Sequence, residues 1–157
     1  MSEDVLAIVQ ASKGRRLLGV VAMWSLGILL LYVAMVEPPA IGWQLFLILM
    51  GAGAIWLAEL MRRATALRLE LTKTELRDSE GRILAQLDDI ERVDRGVFAF
   101  KPSNGFLILR KSPAETAWRP GLWWRYGRRV GVGGMTSAAE TKFMADAIST
   151  MLVEPEA

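Results

Sequence analysis

The chain has 157 residues, 52% of them hydrophobic, with 19 basic and 17 acidic side chains giving a net charge of +2. It contains no cysteine and no histidine, which excludes disulfides, thiolate nucleophiles and the commonest general base, haem ligand and zinc ligand. Only chemistry based on Asp, Glu, Lys, Ser or Tyr stays open, so a non-enzymatic role without cofactor or metal is expected.

Residues 1–12 (MSEDVLAIVQAS) begin acidic, unlike a signal peptide, which starts positive and ends in a small-residue cleavage site. The short apolar run at 5–9 reads either as an edge strand of a later domain or as a half-buried turn of interfacial helix. Lys13, Arg15 and Arg16 follow.

Residues 17–36 (LLGVVAMWSLGILLLYVAMV) carry no charge. At 1.5 Å per residue such a helix spans a hydrocarbon core roughly 30 Å thick. Glu37, Pro38, Pro39 and Ala40 interrupt it, and residues 41–61 form a second apolar segment closed by Arg62 and Arg63. The short connection dictates an antiparallel transmembrane hairpin over 17–61. Both outer flanks are basic and the connecting turn has no Lys or Arg. The positive-inside rule therefore predicts a multi-pass protein of the bacterial inner membrane with both termini cytoplasmic. Trp43 suits the outer interfacial belt, and Glu59 is placed to reach Arg62 and Arg63 on its own helix. Gly19 and Gly27 on the first span, and Gly51, Ala54 and Ala58 on the second, permit close helix approach. They suit packing of the hairpin on itself, or docking on a partner's helices.

After Arg63 the period changes. Leu67, Leu69 and Leu71 alternate with polar residues, as do Ile83, Ala85 and Leu87, the pattern of half-buried strands. Further short strands are predicted at Leu76, at Ile90 with Val93, over 97–101 and 106–111 around the turn Pro102, Ser103, Asn104, Gly105, and over 128–133. Ser137 followed by Glu140 forms a capping box for a last helix over 137–153, whose stripe is Phe143, Met144, Ala147, Ile148, Met151 and Leu152, with Pro155 ending it. The expected class is α+β: an N-terminal segment over 1–16, the hairpin over 17–61, and a cytoplasmic domain over 62–157 built as a small antiparallel sheet or barrel capped by a C-terminal helix.

This order of elements, with LELT at 69–72, the Ile90/Val93 pair and the terminal helix from Ser137, resembles small bacterial two-span membrane proteins that bear a pleckstrin-homology-like domain. In particular it resembles an alphaproteobacterial set with two spans and this tail. The resemblance implies a PH-like fold over about residues 15–153 and no agreed activity. Domains of this type usually bind lipids or proteins.

The richest chemistry lies in residues 118–129 (WRPGLWWRYGRR), where Trp118, Trp123, Trp124 and Tyr126 interleave with Arg119, Arg125, Arg128 and Arg129. Indoles favour the headgroup layer and guanidinium groups fork onto phosphate, so the stretch is suited to an anionic membrane surface. The plainer alternative makes Trp123 or Trp124 partly core and the arginines solvated or ion-paired; a partner-protein site is a third. No nucleic-acid motif accompanies these residues, and the glycines at 131–134 lack the lysine and spacing of a phosphate loop. Asp88 and Asp89 read as a solvated turn.

Two functions follow from different classes. One is a non-catalytic inner-membrane interaction protein: an accessory subunit, assembly factor or scaffold that packs beside other integral membrane proteins of a larger complex, such as a respiratory or photosynthetic one. The other is a membrane-tethered sensor of anionic lipid headgroups acting through 118–129.

Overall fold

The computed structural model describes residues 4–96 and 98–154. Val97 and Pro155, to which the sequence reading assigned a strand start and a helix stop, lie outside the described residues.

Ala7–Gln10 is a strand, β1, with Ala7 and Val9 turned inward. It pairs antiparallel with β2, Arg68–Leu71, setting Ala7 opposite Leu71 and Gln10 opposite Arg68. The ambiguity at 5–9 thus resolves as a strand. Between these two neighbouring strands the chain makes α1, Lys13–Val36, and α2, Ile41–Ala64. Residues 1–16 are accordingly not a segment of their own: 4–12 belong with the β domain, and 13–16 begin α1. The chain divides into two compact units, Lys13–Arg63 and the flanking segments together.

Both helices of the hairpin are long and apolar enough to cross a membrane. Only 11% and 17% of their apolar windows are buried, so the chain itself leaves most of their apolar surface uncovered. They meet along small residues. A Cβ on Gly27 would lie 2.8 Å from the Gly51 carbonyl oxygen, and one on Gly51 would lie 3.0 Å from that of Gly27. Ala34, Ala54 and Ala58 complete the buried face, while Gly19 is half-buried. Gln44 donates from Nε2 to the Ala34 carbonyl at 3.0 Å, and Glu59 takes bonds from Arg62 and Arg63 at 2.7–2.8 Å.

In the β domain, β1 and β2 continue into β3, Glu75–Asp78, and β4, Ile83–Gln86, as one four-stranded antiparallel sheet in sequence order. A 3-10 turn, Leu87–Asp89, leads to a second sheet of β5, Ile90–Asp94, β6, Phe106–Arg119, and β7, Trp123–Val132. α3, Ala138–Val153, lies against β1, β5 and β6. The core joins Val9, Leu69, Leu71, Leu76 and Leu84 of one sheet to Phe106, Ile108, Trp123 and Val130 of the other, with Met144 and Ile148 from α3.

Several local expectations give way to tertiary register. A shift in pairing between Leu76 and Arg77 lets β4 bury Leu84 and Ala85 side by side, and Ile83 is exposed. No strand forms over 98–101: Asp94 Oδ1 accepts from the Gly96 N–H at 2.8 Å and ends β5, and turns at Ala99 and Lys101 follow. The strands expected at 106–111 and 128–133 extend into a single long hairpin. Bulges in β6 between Leu109 and Ala117 accommodate Pro113, which has no N–H for a ladder. In α3, Phe143 falls outside the buried stripe. The capping box does not form either: Ser137 makes no side-chain cap bond, and Glu140 accepts from the Gln10 backbone N–H at 3.0 Å. The glutamate fastens β1 instead of its own helix.

Candidate functional site: the aromatic-basic hairpin

Residues 118–129 form the closed end of the β6–β7 hairpin. Pro120 and Gly121 make its turn, with Gly121 at φ +83° and the Leu122 N–H donating to the Arg119 carbonyl at 3.0 Å. This is the sequence preference of a type II turn. The Pro-Gly pair was the available signal for it.

The strand then separates the aromatic residues. Trp123 is 1% exposed and belongs to the core, which corrects its assignment to an interfacial surface. Its strand position after the turn points it inward beside Leu122. Trp124 is half-buried, its ring lying where a Cβ on Gly131 would sit. β7 bends at Gly127, φ +58°, and only a residue without a side chain at 131 leaves room for the indole. Trp118, opposite Trp124 across the pair, stays exposed, and Tyr126 is 70% exposed.

The arginines are divided in the same way. Arg119 pairs with Glu80 at 3.2 Å, and Arg128 with Glu91 at 2.9 Å while donating from Nε to the Arg110 carbonyl. Arg125 donates to the carbonyls of Glu115 and Ile83 at 2.7 Å each and sits 5.9 Å from the Trp123 ring centroid. Burial, together with the charges of Arg110 and Arg82, pushes its guanidinium below the usual arginine value. Arg129 is exposed. The structure therefore brings the eight residues onto one hairpin, with Trp118, Tyr126, Arg128 and Arg129 exposed on it and Arg128 ion-paired to Glu91.

Asp89 is not the solvated turn residue expected. Its carboxylate accepts from Arg110 at 2.8–2.9 Å and from both the N–H and the hydroxyl of Ser112 at 2.8–3.1 Å. Burial alone would raise its pKa; the bonds from Ser112 and Arg110 and the charge of Arg110 outweigh that and hold it below the ordinary value. The clamp pins the start of the β6 bulge. Among the described residues no cluster of three or more acidic side chains is placed to hold a metal ion.

Sequence reasoning missed the loop joining β5 to β6. Phe98 and Phe100 are 102% and 84% exposed there. The loop is anchored at one corner of the β domain. Gly134 N–H donates to Ser103, Met135 N–H to Gly121, and Ser12 N–H to Met135, at 2.7–2.9 Å. Ser12 is the last residue before α1. The signal lay in two phenylalanines between Gly96 and Pro102, whose alternation reads as a strand and so masks the loop.

No family model, curated protein or solved structure matches the chain.

Proposed function

We propose that the chain is a non-catalytic membrane interaction protein, in which a two-helix anchor holds a PH-like β domain at the bilayer as a docking module for a larger membrane complex. The observation that carries this reading is the pairing of β1 with β2 on either side of the hairpin. Residues 10 and 68 face each other in one ladder, so the chain leaves and rejoins the domain at neighbouring positions. A hairpin that spans twice satisfies that constraint and puts both termini on one side. Lys13, Arg15, Arg16, Arg62, Arg63 and Arg68, against a turn without Lys or Arg, make that side the cytoplasm of a bacterial inner membrane. Two antiparallel sheets of four and three strands closed by one terminal helix support the PH-like reading.

Such an anchor restricts the domain to partners at the same membrane. The outward residues Trp24, Leu29, Tyr32, Leu49 and Trp56 offer the hairpin a broad apolar surface for lipid or for other integral proteins. Mild-detergent purification of the native protein, followed by mass spectrometry, tests the reading: a stoichiometric integral membrane partner is expected, and migration as a lone chain overturns it. A reporter at Ala157 that is active only in the periplasm overturns the topology.

A further inference from the structure

We propose that Arg95 and residues 98–101, with the adjoining face of α3, form a contact site for an anionic phospholipid surface, with Phe98 and Phe100 entering the headgroup layer and Arg95, Lys101 and Lys142 holding phosphate. The proposal rests on the reading that the hairpin spans a membrane, and it places lipid recognition away from residues 118–129.

Arg95, Lys101 and Lys142 line one 460 Å³ groove, together with Asn104, Gly105, Ala138 and Thr141. Among the described residues the carboxylate ion-paired with these cations is Asp146, bonded to one Arg95 nitrogen at 2.9 Å. A guanidinium carries five N–H donors, so that bond leaves most of the fork available. Lys101 reaches the Gly105 carbonyl only at 3.4 Å. Asp94, the last residue of β5, turns one carboxylate oxygen to the Gly96 N–H at 2.8 Å. The groove is thus cationic on balance.

Single exposed apolar side chains are ordinary, but two phenylalanines standing free on one loop beside a cationic groove have the form of an interfacial anchor. Aromatic rings favour the headgroup region, and each basic residue gains from an anionic surface within a Debye length. Position adds a third argument. The bonded chain Ser103–Gly134, Met135–Gly121 and Ser12–Met135 ties the loop's base to the corner from which the polypeptide continues into α1. A soluble phosphate ligand would use the cations but gives the phenylalanines no role.

The chain has no cysteine, so single labels report without background. Full-length protein carrying Phe98→Cys with an environment-sensitive fluorophore is reconstituted into phosphatidylcholine vesicles, with or without phosphatidylglycerol. The expected result is a blue-shifted emission, quenched by headgroup-level nitroxide lipid, in the anionic vesicles and much less in the neutral ones. Neutralising Lys101→Gln and Lys142→Gln should lower the inserted-to-free ratio roughly fivefold per cation. Raising salt from ~0.1 to ~1 M, which shortens the Debye length from about 10 to about 3 Å, should erase the difference between vesicles. Phe100→Ala should weaken insertion at either salt. Inorganic phosphate added to neutral vesicles should leave the emission unchanged; a shift there assigns the groove to a free anion and overturns the proposal. Emission of a water-exposed label in both vesicles, equal quenching in both, or a blue shift without lipid quenching (a protein contact) also overturns it. A label at Tyr126→Cys should stay water-exposed, and its quenching in place of the Phe98 label returns lipid contact to the β6–β7 hairpin. A label at Trp56→Cys, read with deep-acyl nitroxide, separates failure of this site from failure of the membrane-spanning reading.

Discussion

The β6–β7 turn and the β5–β6 loop are written in the same residue types and end in opposite states. The first holds four aromatics and four arginines within residues 118–129. There Trp123 enters the core, Trp124 lies along Gly131, and Arg119, Arg125 and Arg128 are tied to Glu80, to carbonyls and to Glu91. The second holds only Arg95, Phe98, Phe100 and Lys101, and its two rings stand free. A count of cations in a window measures neither free charge nor accessible surface. Strand register decides both, because a pleated strand turns alternate side chains inward and sets the others beside a neighbouring strand's acids and carbonyls.

The largest expected effect breaks the comparison on the core side. Trp123→Ala should cost about 3–5 kcal/mol of stability, as removal of a buried aromatic leaves a cavity. Phe98→Ala should stay within about 0.5 kcal/mol, as a surface substitution. Thermal unfolding of the full chain in detergent, followed by near-ultraviolet circular dichroism, measures both. Similar losses for the two variants would mean that the loop is part of the core.

Asp89 comes next, since its clamp sets the bulged register that carries β6 on to the aromatic turn. Asp89→Asn should cost about 1.5–3 kcal/mol, the range for bonds to a charged group. A carboxyl lowered in the folded state stabilises the fold at pH values above its unfolded pKa, near about 4. The difference between parent and variant should therefore be full at neutral pH and vanish as acid takes the pH down through the lowered folded value. A constant difference across that window would show that Asp89 acts through shape and not through charge.

The smallest effect sharpens the point about arginines. Arg128 and Glu91 are each about half exposed, and an exposed pair contributes about 0.2–1 kcal/mol. Arg128→Gln should accordingly change the melting temperature little and leave vesicle quenching of a Phe98 label unaltered. Loss of that quenching would make the β6–β7 hairpin a participant in lipid contact.

Much of the architecture was legible in local pattern. Uncharged runs long enough for a bilayer, separated by two prolines, dictate the helical hairpin, and its Gly27/Gly51 crossing follows from small residues on matching faces. Alternation at Leu67, Leu69 and Leu71 marks β2, and a Met144/Ile148 stripe marks α3. These signals repeat every two or three to four residues, so a short window contains them. The candidate site was legible in composition and not in exposure. Pairing of residues far apart in the chain supplied the rest: Gln10 finds Glu140 across 130 positions, β1 finds β2 across the whole hairpin, and Arg128 finds Glu91 across 37. Residue type alone states which groups can pair. Only the closed sheets decide which of them meet, because burial and hydrogen bonding depend on a register set by all the strands together.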